Sequence, residues 1–111
     1  MISVIVKAHP LRCEVLEILV PQPGPYEILV KVICCASNPR DWKAPDHHIP
    51  GVEISQGNEM SGIMEEVGEN VNEFQKGDRI GGVHPMQTSN GTYAEYATAP
   101  VNTCFLLPPK I

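Results

Sequence analysis

PYEILVKVICCASNPRDWK, residues 25–43, holds both the most apolar run of the chain and its densest cluster of polar side chains. Ile28–Ala36 (ILVKVICCA) is rich in β-branched residues and has no break, which predicts a strand near the centre of a sheet. It stops at Asn38-Pro39-Arg40-Asp41. A proline in the second position there can open a helical turn, and Ser37 or Asn38 is placed to cap it.

Working outward, the other apolar segments are also short and separated by turn signals. Met1 to Lys7 and Glu14 to Val20 read as two strands, and Pro21-Gln-Pro-Gly-Pro25 forces a turn before the central one. Downstream, Ala44 to Gln56 carries Pro45 and Pro50 without periodicity and reads as a surface loop. Glu59 to Val67 has some helical propensity, but Gly57, Gly62 and Gly68 favour a strand, with Gly62 at a bulge or a close backbone approach. Gly77-Asp78 is a turn, Arg79 to Val83 a strand and His84 to Gly91 a polar loop. Thr92 to Ala99 and Cys104 to Leu107 are further strands. Seven or so short strands at this spacing predict an antiparallel barrel or sandwich.

With 111 residues, 42% of them apolar and 19% charged, the chain has the composition of one globular domain. Eleven prolines and nine glycines leave little room for long helices. A formal charge of -5 argues against nucleic acid as the main partner, because phosphate binding needs a basic face. The first ten residues lack the apolar core and cleavage site of a signal peptide, and no stretch is long enough for a membrane helix. Cys13, Cys34, Cys35 and Cys104 have no framework spacing and no C-x-x-C. The expectation is four reduced thiols, some of them packed in the core, in a cytoplasmic protein.

Asn38 to Lys43 sets an amide, a guanidinium, a carboxylate, an indole and an ammonium at the end of a rigid strand, which is how binding sites are often built. A helix cap, with Trp42 filling core, explains the same residues equally well. Other groups point less clearly to chemistry. His47 and His48 sit in the proline-rich loop, Glu65, Glu66 and Glu69 read as a solvated edge, and Tyr93 and Tyr96 are expected to pack within their strand.

Four segments, PGPYEILVKV, NPRDWK, GNEMSGIMEEVGENVNEFQKGDRI and GTYAEYATAP, stand in an order and spacing that resemble the GroES-like N-terminal domain of the medium-chain dehydrogenase/reductase family. NPRDWK is similar to the zinc-free quinone oxidoreductase branch, and most of all to trans-acting enoyl reductases. The resemblance implies a mainly β fold: a GroES-like, partly open antiparallel barrel with one or two short helical turns, spanning residues 1–111. It implies NADPH as the cofactor of the complete enzyme and an enoyl or quinone substrate. Asn38, Arg40, Asp41, Trp42 and Lys43 would then border the cofactor. Arg40 and Lys43 would approach phosphate or ribose, Asp41 would accept a ribose hydroxyl or orient a neighbour, and Trp42 would supply a flat wall.

The zinc-dependent branch has a cysteine where this chain has Asn38, and His-Glu where it has Asn58-Glu59. Amides are poor zinc donors, so the expectation is no zinc. No G-x-G-x-x-G or close variant occurs, so the dinucleotide-binding unit is expected to be absent and NADPH not to bind this chain alone. The partner is then a missing Rossmann-type domain or a second copy, docking on an apolar surface around Phe105-Leu106-Leu107, Cys35 and Trp42. An alternative is a natural truncated relative that acts as a binding or assembly module or a pseudoenzyme. No loop near the start is long enough for a chaperonin partner.

Overall fold

A computed structural model describes residues 1–7, 10–43, 54–86 and 88–110. The elements run β1 (Ile2–Lys7), β2 (Arg12–Glu17), β3 (Glu27–Cys35), α1 (Pro39–Lys43), β4 (Ile54–Ser55), β5 (Glu59–Val67), β6 (Arg79–Val83), β7 (Tyr96–Pro100), a 3-10 turn (Val101–Thr103) and β8 (Cys104–Leu106). Two antiparallel sheets result, one ordered β2-β1-β4 and the other β7-β3-β5-β6-β8. The segment just before β7 stitches them together. Ser3 bridges Ala94, the Val4 amide donates to Tyr93 O at 2.9 Å, and the Val32 amide donates to Glu95 O at 2.9 Å. This crossing curls the sheets into the expected half-open barrel.

The core lies against one face of the larger sheet. Ile28 and Val30 of β3, Met60 and Met64 of β5, Ile80 of β6 and Ala97 and Ala99 of β7 form one buried cluster with Val71. Burial alternates along β5, with Met60, Gly62 and Met64 inward, as a half-buried strand requires. Gly62 confirms its reading. It faces Val32 beside a register shift in β3, and a Cβ there would collide with the Lys31 carbonyl oxygen. The Gly77-Asp78 turn also stands as read, closed by Asp78 Oδ2 accepting from the Gln75 amide at 2.9 Å.

Three boundaries differ from the sequence reading. The second strand is Arg12–Glu17 rather than Glu14 to Val20, because it pairs residue for residue with the six residues of β1 and runs out where β1 does. Leu19, beyond that pairing, is 91% exposed. β7 begins at Tyr96 rather than Thr92, since residues 92–95 serve the smaller sheet first. The expected loop to Gln56 ends in strand, with Ile54 and Ser55 opposite Val6 and Ile5. His47 and His48 lie outside the described residues. All four cysteines are free thiols. Cys104 packs against the core, while Cys13, Cys34 and Cys35 are exposed.

Candidate functional site at the end of strand β3

β3 ends in a turn that its own side chains close. The Asn38 amide donates to Asp41 Oδ2 at 2.6 Å, and the Asp41 amide donates to Asn38 O at 2.9 Å. A carboxylate three residues into a helical start, reaching back to the preceding N–H, is one half of a capping box. Gln56 adds a third tie, its side-chain amide donating to the Asp41 carbonyl. Asp41 is buried as a result, at 9% exposure.

Its neighbours turn outward. Arg40, Trp42 and Lys43 are exposed and Asn38 is half-buried. Trp42 is 66% exposed, so it does not fill core, and that part of the cap reading is corrected. Lys43 Nζ lies 5.0 Å from the centroid of the Trp42 ring, within cation–π range. The five residues singled out in the sequence thus divide. Asp41 holds the turn, while two cations and a flat ring face solvent.

Asn58 clasps the start of β5 to the end of β6. Its side-chain amide donates to His84 O at 3.0 Å, and the His84 amide donates to Asn58 O at 2.6 Å. His84 itself is buried, with Nδ1 2.6 Å from Thr98 O and Nε2 2.7 Å from Thr88 Oγ1. Because a carbonyl can only accept, Nδ1 carries the proton, and Nε2 lies against a threonine hydroxyl that also donates to the Pro85 carbonyl at 2.9 Å. Burial lowers the His84 pKa, outweighing the Thr98 bond and the charge of Glu27. Among the described residues no group of three or more His, Cys, Asp or Glu side chains could hold a metal ion.

Tyr93 is the residue that the sequence reading missed. Expected to pack within a strand, it lies instead in the crossing segment, with its phenol donating to Ala36 O at 3.3 Å across 57 positions of sequence. Gly57 makes that approach possible. Its φ of +94° suits glycine alone, and any Cβ there would meet Thr92 and the Tyr93 ring. Burial raises the Tyr93 pKa, with the Asp41 carboxylate adding to it and a hydrogen bond from Ser37 opposing it. The Cys35 thiol is likewise pushed up, by burial first, then by Cys34 and Asp41. Ala36 also lines an open concavity of about 280 Å³ with Cys34, Cys35, Glu59, Met60 and Ser61. No periodicity marks Tyr93 in the sequence, because only the crossover between sheets brings it to the turn.

Comparison with known proteins agrees with the fold. The alcohol dehydrogenase GroES-like domain matches residues 24–109. The chain belongs to that family. It is 36% identical over 99 residues to the trans-enoyl reductase fsr4 of Gibberella fujikuroi, covering 89% of this chain and 29% of that protein. It is 38% identical over 98 residues to the quinone oxidoreductase of Sus scrofa, covering 86% and 29% respectively. A mycobacterial protein solved in complex with NADPH superposes with a TM-score of 0.79 at 28% identity, over 100% of this chain and 35% of that one. The chain spans under a third of the length of these curated relatives.

Proposed function

We propose that this GroES-like domain is the N-terminal, substrate-side portion of a zinc-free, NADPH-dependent reductase of enoyl or quinone substrates, inactive until a dinucleotide-binding domain joins it. The observation that carries the reading is the β3 end, where exposed Arg40, Trp42 and Lys43 surround a buried, self-capped Asp41. Two cations beside a flat ring suit one flank of an anionic dinucleotide, with the ring against an apolar surface of the cofactor or substrate. Asn38 and Asp41 fix the turn that presents them. The donor set fits that flank only, since the sequence has no glycine-rich cradle for the pyrophosphate. When bound, the nicotinamide supplies the hydride. This chain's part is to orient the acceptor and to keep one face of the cleft free of bulk water.

Asn38 and Asn58 support the zinc-free reading, because an amide is a weak zinc donor and that of Asn58 is already engaged with His84. One zinc per chain surviving dialysis would overturn it. Four free thiols suit a reducing, cytoplasmic setting.

The test is NADPH oxidation with a quinone or a trans-enoyl thioester, by this chain alone and by the chain continued into a dinucleotide-binding domain. Turnover in the second case only is the expected result. Turnover by the chain alone, or none in either case with both substrates, overturns the proposal.

A further inference from the structure

We propose that Gln56 is a positioning residue for the turn at the β3 end, fixing where α1, and with it Arg40, Trp42 and Lys43, stands on the barrel. This rests on the reductase reading above and adds to it a residue that sets affinity for the anionic dinucleotide without touching it.

α1 has five residues, too few to hold a helix unaided. Its internal bonds run between Asn38 and Asp41 in both directions and set the shape of the turn. Because they join residues so close in the chain, they leave open where the turn sits on the barrel. The last carbonyls of a helix also lack partners within it. The Gln56 side-chain amide meets both needs, donating to the Asp41 carbonyl across 15 positions of sequence.

Gln56 can act as an anchor because its own backbone is held on two sides. Its amide donates to Val4 O at 3.0 Å, and its carbonyl accepts from the Tyr93 amide at 2.9 Å. It stands where the edge of β1 passes from one partner to another. Ile5 pairs with Ser55 of β4, and Ser3 bridges Ala94 of the crossing segment. The tie thus runs from the junction of the two sheets straight to the helix backbone.

Both ends of that tie are buried, Gln56 at 8% exposure and Asp41 at 9%. Water competes poorly for such a donor, and a side chain without one would leave the Asp41 carbonyl unpaired. Arg40, Trp42 and Lys43 are exposed by contrast. They supply the contacts, and the buried tie behind them gives those contacts one place from which to be made. Groups already placed lose less freedom when a ligand arrives, which favours binding.

Two measurements separate placement from contact. Trp42 is the single tryptophan and adjoins Asp41, so in the 111-residue chain its fluorescence anisotropy reports placement. Gln56→Met keeps the bulk and removes the donor, and the anisotropy should fall. In the chain continued into a dinucleotide-binding domain, the same change should weaken NADPH binding about fivefold, the value of one ordinary hydrogen bond. Nicotinamide fluorescence follows that binding without turnover. A tie that served folding only would lower the urea midpoint and leave the NADPH affinity in place. Arg40→Gln combined with Lys43→Gln removes contacts instead, and should weaken binding in the two-domain form. Should Gln56→Met fail to fold, Gln56→Asn, one methylene shorter, takes its place.

Unchanged anisotropy overturns the Gln56 assignment and leaves the reductase reading intact. So does parental NADPH affinity in Gln56→Met where the double charge change weakens binding. Parental affinity in both overturns the cofactor-side reading of the turn, and the role of Gln56 with it. The reductase reading stands or falls separately, on NADPH oxidation by the two-domain form.

Discussion

The two halves of β3 are equally apolar in sequence and opposite in fate. Ile28, Leu29 and Val30 are at most 3% exposed, whereas Ile33, three residues later, is 62% exposed and Cys34 and Cys35 are open to solvent. The difference lies in the neighbours. β7 pairs only with Glu27–Lys31, so the first half has a strand on each side, while the second keeps β5 alone. A register shift lies between Val32 and Cys34, where the strand passes from half-buried to exposed. Apolar sequence thus marks what is to be covered, and the fold settles what covers it. For the second half, no strand other than β5 pairs with it among the described residues.

The sharpest test of that contrast is truncation at the buried end. Ile28→Ala should cost about 2–5 kcal/mol, since Ile28 is fully enclosed and its cavity cannot collapse onto mobile neighbours. Small domains have about 5–15 kcal/mol in total, so this loss would show plainly in urea unfolding. A cost below about 1 kcal/mol would mean that the first half of β3 is not the centre of the core.

Asp41→Ala tests the turn where the strand ends. It removes the acceptor of the half-buried Asn38 amide and should cost about 1–3 kcal/mol. The Trp42 fluorescence anisotropy should fall as the turn loosens, and an unchanged anisotropy would place the rigidity of the turn elsewhere, for instance in Gln56.

How much of this could be read in advance follows from the range of the forces involved. The strands at Glu59–Val67 and Arg79–Val83, the Gly62 approach and the helical opening at Pro39 depend on local sterics and period, and they stand as expected. The ends of β2 depend on the length of a partner strand, which no local pattern encodes. Residues 92–95 change sheets, so their alternation answers to two surfaces and resembles neither. Tyr93 reaches Ala36 only through that crossover, and Trp42 is exposed because Asp41, rather than the indole, turns inward. The candidate site was therefore legible where it is one contiguous turn, and hidden where a second segment completes it.

Acid should act on the buried side of the molecule before the open one. The His84 pKa is lowered by burial from its ordinary value near 6.5, so the folded state binds fewer protons than the unfolded state below that pH. Stability present above pH 6.5 is therefore lost as the pH falls toward the folded value. The effect should be smaller than that of Ile28→Ala. The slope of unfolding free energy against pH below 6.5 should be shallower in His84→Gln than in the parent, and equal slopes would show that His84 binds protons alike in the folded and unfolded states.

The smallest effect on folding should come from the exposed half of β3, where it is joined by a different and larger one. Ile33→Ser removes an apolar side chain already 62% in water, so it should change stability by no more than about 0.5 kcal/mol. Ile33 belongs, however, to a set of exposed apolar groups that includes Trp42 at 66%, Phe105 at 58% and Leu106 at 55%. Interfaces between domains of one chain cover about 600–1,500 Å², and uncovered surface of that kind promotes association. The unaltered chain should self-associate at tens of micromolar in sedimentation equilibrium, slowed but not prevented by its charge of -5. Ile33→Ser should shift that equilibrium toward monomer while leaving the urea midpoint in place, separating what β3 does for its own fold from what it offers a partner. A parent chain that sediments as a clean monomer and binds no hydrophobic dye would show that the exposed half of β3 needs no cover, and that the apolar run there serves only the strand itself.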